Sequence, residues 1–166
     1  MLRVVRLVMP NTRTLASLYA CLFIAGCASE MDDDPQAVFP EDFEDRYVEM
    51  RTCRHSHEHE LRFIRVFASE TAQTPYATLS AEVPYPPGAI LVKAEYDDPS
   101  CETTLGFTVM QKLDAGENPD GGDWRWQKLD ADRTLLQNGA PVRCVSCHAQ
   151  HCAPPHGYDL SCAEEI

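Results

Sequence analysis

Cys144, Cys147 and His148 form a Cys-x-x-Cys-His unit near the C-terminus. On one helical turn, thiols at i and i+3 and an imidazole at i+4 project from the same side. Two such thiols can add to the two vinyl groups of a haem while the imidazole points at the iron, which is the c-type attachment. A second reading competes. With His151, Cys152 and His156 the unit forms a dense Cys/His cluster, and any four of these could build a tetrahedral zinc site. Haem is favoured because the chain reads as exported, and free thiolates fare badly in an oxidising compartment. No methionine follows His148, and of Met31, Met50 and Met110, the last lies in a strand pattern and reads as core. His55, His57 and His59 alternate with Ser56 and Glu58 and read as a solvated linker. A second histidine ligand would need that run beside the haem. The simplest expectation is a five-coordinate iron with an open side for a small ligand.

The elements that must position this unit follow from periodicity. Residues 39–54 carry apolar side chains at 43, 47, 48 and 50 with acids early, and predict a helix of about three turns. Residues 61–68 (LRFIRVFA), 89–96 (AILVKAEY), 103–113 (TTLGFTVMQKL) and 124–129 (WRWQKL) predict strands, the last with Trp124 and Trp126 on one face. Pro75 to Leu79 predicts a short helix or turn. Three glycines and Pro119 make residues 114–123 a loop, and residues 130–143 read as irregular. The fold class is α+β: a mainly antiparallel sheet with flanking helices, one of which carries the two haem cysteines near the C-terminus.

The N-terminus is an export signal by pattern. Arg3, Arg6 and Arg13 precede a dozen-residue apolar run (LASLYACLFIAG) too short to cross a bilayer. The run ends in Ile24-Ala25-Gly26-Cys27, which resembles a bacterial lipobox with Cys27 as the lipid acceptor. Three parts result: residues 1–26 a lipoprotein signal peptide, 27–45 an acidic tether, and 46–166 the haem domain. Ala28 rather than Asp follows the cysteine, so the expected location is the cell envelope, periplasm-facing and held at the outer membrane by lipid alone. The chain carries 14 Lys and Arg against 26 Asp and Glu, and removing residues 1–26 takes three arginines and no acid, leaving a formal charge of −15. That balance argues against nucleic acid and suits docking to a basic redox partner. Of eight cysteines, Cys21 leaves with the signal, Cys27 is lipidated and Cys144 and Cys147 take the haem. Cys53, Cys101, Cys152 and Cys162 remain, with three possible pairings; Cys53–Cys101 and Cys152–Cys162 is preferred, the latter closing a short loop.

Several pieces arrive in an order that resembles the cytochrome P-460 and cytochrome c′-beta family. They are the strand Leu61-Arg62-Phe63-Ile64-Arg65-Val66-Phe67, then Tyr85-Pro86-Pro87-Gly88-Ala89-Ile90-Leu91-Val92-Lys93, then Val109-Met110-Gln111-Lys112, then Gly122-Asp123-Trp124-Arg125-Trp126, and last the haem motif. The resemblance implies an antiparallel, often dimeric fold whose haem c has His148 as its only protein ligand. It implies action on small nitrogen compounds: nitric oxide binding, or oxidation of hydroxylamine as an oxidoreductase. Lys93 matches the lysine that, in the P-460 branch, is joined to the porphyrin, and Arg62 or Arg65 could supply a distal arginine. Two departures leave the branch open. Residues 136–143 hold no acid to serve as the distal proton acceptor, and Ala94 stands between Lys93 and Glu95 where relatives often place Glu directly after the lysine. An electron-transfer cytochrome is the principal alternative, and a zinc-binding or metal-free envelope lipoprotein module the third. The tail 151–162 (HCAPPHGYDLSC) lies outside the family pattern and receives no role.

Overall fold

The computed structural model describes residues 36–162. The signal segment, Cys27 and the first half of the tether lie outside the described residues. A short helix α1 (Phe43–Arg46) leads into six strands: β1 (Val48–Ser56), β2 (Arg62–Ala68), β3 (Ile90–Tyr96), β4 (Thr104–Lys112), β5 (Trp124–Asp130) and β6 (Leu135–Gly139). Helix α2 (Glu70–Thr78) links β2 to β3, and α3 (Val142–His151) follows the sheet. A two-stranded ribbon, β7 (Gly157–Tyr158) and β8 (Ser161–Cys162), ends the described chain. The six strands form one antiparallel meander in sequence order, so every strand pairs with its chain neighbours. The expected α+β class is thus observed. Among the described residues no helix is long and apolar enough to cross a membrane.

Because side chains alternate along a strand, the register sorts the sheet into two faces. The first face gathers Phe67, Val92, Ala94, Tyr96, Phe107, Val109 and Leu129, covered by Phe39 and Phe43 from the segment before β1. Phe43 meets Phe39, Phe67 and Phe107 edge-on at ring-centroid distances of 5.2, 5.1 and 5.7 Å. Such pairs add about 0.5–1.5 kcal/mol each beyond their buried area. The second face gathers Ile64, Val66, Leu91, Met110, Trp124 and Trp126 with Ala72 and Tyr76 of α2. Met110 is buried there, and the two tryptophans share that face as the strand pattern predicts.

Three expectations are corrected. Residues 39–54 are not one helix: α1 is a single turn, Tyr47 is already extended, and β1 runs from Val48. Spacing that suits a helix lost to backbone pairing with β2, whose hydrogen bonds satisfy an entire strand. Residues 135–139, read as irregular, form the edge strand β6 on β5. The short helix is longer than expected and begins at Glu70, carrying Pro75 inside it.

The preferred disulfides are both present. Cys53–Cys101 ties β1 to the turn after β3, and Cys152–Cys162 ties the end of α3 to β8. The first therefore anchors a strand rather than the start of a helix.

Candidate functional site

Helix α3 begins after Pro141, whose fixed φ suits a helix start. Its turns carry Cys144, Cys147 and His148, with both thiols free and half-buried. The imidazole of His148 is wedged against the second face, its ring 4.8 Å from that of Trp126 and nearly perpendicular to it. Its Nδ1 lies 2.6 Å from the carbonyl oxygen of Leu160. An imidazole that donates through Nδ1 presents a bare Nε2, the form a metal ion needs. Burial holds the His148 pKa below the ordinary histidine range, and nearby Lys93 adds to this, against the Leu160 contact. The ring is therefore neutral near pH 7.

The tail supplies that carbonyl, which gives the unexplained segment a role. Asp159 and Leu160 both have positive φ, at 48° and 64°, and form the two-residue turn between β7 and β8. Such a turn matches the twist of a hairpin. The sheet grips it from below: Trp124 Nε1 donates to the Asp159 carbonyl at 2.9 Å, Lys112 Nζ to its carboxylate at 2.7 Å, and the hydroxyls of Tyr85 and Ser161 pair at 2.8 Å. Burial pushes the Tyr85 phenol above the usual tyrosine range. Gly157 has no room for a side chain, since a Cβ there would run into the carbonyls of Ser161 and Cys152. The Cys152–Cys162 bridge closes the unit against α3.

Below His148 the second face turns polar. Lys93 of β3 stands opposite Val66 on one side and Thr108 on the other, and Thr108 stands opposite Lys128. Lys93 Nζ lies 3.7 Å from Glu95 Oε1, with both side chains mostly buried, and Thr108 Oγ1 donates to the same oxygen at 3.3 Å. Burial lowers the Lys93 pKa to about 8, against Glu95, which holds the proton on. Glu95, which the sequence places after Ala94 rather than directly after Lys93, is thus an acid on this face. A glutamate directly after Lys93 would point to the opposite face, whereas two residues on it returns to the same one. On β1, Arg51 and Arg54 stand opposite Val66 and Ile64 in register, adding positive charge beside this face.

The other anticipated residues divide. Arg62 shares the parity of Lys93 but sits at the hairpin end, bridged to Asp97 at 3.5 Å. Arg65 is corrected: it points to the opposite face, held by Glu44 and Glu49 at 2.9 and 2.8 Å and stacked over Phe67. It cannot be a distal arginine. The histidine run is no uniform solvated linker. His55 belongs to β1 and packs on Phe63, with His57 against it. His59 turns inward, its Nδ1 2.9 Å from Ser56 Oγ and its ring 6.2 Å from that of His148. Burial lowers its pKa to about 3, and the charges of Lys93 and His148 add to the effect.

These residues fit a c-type haem: two free thiols on one helix face, a neutral imidazole with Nε2 unclaimed, and basic residues nearby whose sign matches the haem carboxylates. They fit zinc poorly. Cys152 is consumed in a disulfide, and among the described residues no three His, Cys, Asp or Glu side chains gather as a metal site. The family model described as Cytochrome P460 matches residues 40–154. No curated protein matches the chain.

Proposed function

This chain belongs to the cytochrome P460 family, and from that premise we propose that it is an exported haem c protein which takes up small nitrogen compounds, nitric oxide or hydroxylamine. The observation that carries the reading is the Nδ1 contact of His148 with Leu160 beside two free thiols, because a ring held through Nδ1 leaves its Nε2 for a metal ion. When bound, the haem supplies an iron that accepts a small ligand and exchanges an electron.

The chain's own residues do the rest. Cys144 and Cys147 would hold the macrocycle and His148 would ligate the iron, with Trp126 packed edge-on against its ring. Glu95 takes the place of the acid missing from residues 136–143 and receives a proton from an N–H or O–H of the bound molecule. Lys93 pairs with Glu95 and presents its amine to the same space, where a bond to the porphyrin edge would form in the P-460 manner. Lipidation at Cys27 would hold the domain at the envelope, periplasm-facing, where a basic redox protein can dock on its acidic surface.

The test is the full chain expressed with cytochrome c maturation and assayed with hydroxylamine and an electron acceptor. Glu95→Gln is expected to lower the oxidation rate by roughly 10²-fold and to leave nitric oxide affinity within a few-fold. Wild-type rates no faster than free haem would remove the enzymatic half of the proposal. A strongly red-shifted ferrous Soret band that disappears in Lys93→Leu would establish the porphyrin bond, and an ordinary c-type band would exclude it.

A further inference from the structure

His59 stands apart from the other histidines in a specific way. Its ring centroid lies 6.2 Å from that of His148, with the two planes at 66°. Two imidazoles on opposite sides of one metal, each bound through one nitrogen at about 2.0–2.1 Å, place their centroids about 6 Å apart. In each ring Nδ1 is already engaged, with Ser56 in one and Leu160 in the other, so Nε2 is the nitrogen left on both.

The hairpin that delivers His59 is built to hold it inward. Glu60 and Leu61 both adopt left-handed backbone at φ 59°, an uncommon choice for residues with a Cβ. Arg62 N–H closes the turn on the His59 carbonyl at 3.1 Å, and Glu60 reaches Lys128 of β5 at 3.6 Å. Ser56, the partner of its Nδ1, is buried. His55 and His57 pair with each other instead.

We propose that His59 is the second axial ligand of the haem iron in the resting protein, opposite His148, so that a small ligand binds only by displacing it. The proposal rests on the haem reading above and deepens it: the site is closed by its own hairpin, and the resting protein is suited to electron exchange. An occupied sixth position lowers apparent ligand affinity in proportion to the fraction of open protein.

The experiment is ferric absorption and electron paramagnetic resonance on the matured full chain, with His59→Ala, His59→Met and His57→Ala. The wild type is expected to be low-spin. His59→Ala is expected to become high-spin, to return to low-spin with added imidazole, and to bind carbon monoxide at least tenfold faster when ferrous. His59→Met, which keeps a ligand, is expected to stay six-coordinate with a raised midpoint potential. His57→Ala is expected to match wild type. A high-spin wild type with haem attached would overturn this proposal and leave the haem reading standing. Low-spin character that survives in His59→Ala would also overturn it. A chain that takes no haem would remove both.

Discussion

The two faces of one sheet meet different fates. On the first, Phe39, Phe43, Phe67, Phe107 and Leu129 close on one another, and the protein supplies its own cover. On the second, the apolar half under Trp124 and Trp126 gives way to Lys93, Glu95, Thr108 and Lys128, groups that a folding chain gains nothing by shielding. Burying an amine costs several kcal/mol unless something compensates. The contrast teaches that the first face stabilises the fold, whereas the second is the face that the proposed haem reading assigns to a guest.

The largest effect is expected when the guest is denied. Replacing Cys144 and Cys147 by serine should abolish covalent haem entirely, while far-UV circular dichroism keeps its sheet signature because the first face does not depend on it. Collapse of that signature would mean that the two faces fold as one with the haem. The converse variant, Phe107→Ala, should cost about 3–5 kcal/mol in denaturant unfolding and leave the haem spectrum unchanged. A shifted spectrum would break the division between faces.

The fold was legible where side chains alternate. Strands β2, β3, β4 and β5 follow directly from their sequence, and the haem motif on a terminal helix follows from its spacing. Strand β1 was hidden because residues 43, 47, 48 and 50 also suit a helix, and only pairing with β2 decides between them. Strand β6 has no alternation to read, since Leu135-Leu136-Gln137-Asn138-Gly139 is an edge held by its neighbour. Of the candidate site residues, the motif and Lys93 were named from their sequence patterns. Arg65 and Glu95 changed standing through parity alone, and His59 through two left-handed residues that no composition reveals. The Leu160 carbonyl carries no side-chain signal at all.

Smaller effects sharpen the comparison. Lys93 releases its proton near pH 8 when folded, whereas an unfolded chain holds it to about 10.4. Between those values the unfolded state binds more protons, so the haem-free protein gains stability as pH rises through the window and has least below it. The gain should reach at most roughly 3 kcal/mol and vanish in Lys93→Met, as read by urea unfolding at a series of pH values. An unchanged pH slope in that variant would mean that the second face does not shield the amine. Replacing Cys152 and Cys162 together by serine should cost about 2–3 kcal/mol. It should also raise the midpoint potential as His148 loses a firmly held partner for Nδ1. Lost stability with an unmoved potential would make the tail a brace only.

The most direct test of the account is the denatured mass and the pyridine haemochrome spectrum of the full chain expressed with cytochrome c maturation. The account predicts one haem covalently bound through two thioethers, lost when Cys144 and Cys147 are replaced. A chain that emerges with both thiols free and no haem band would contradict it.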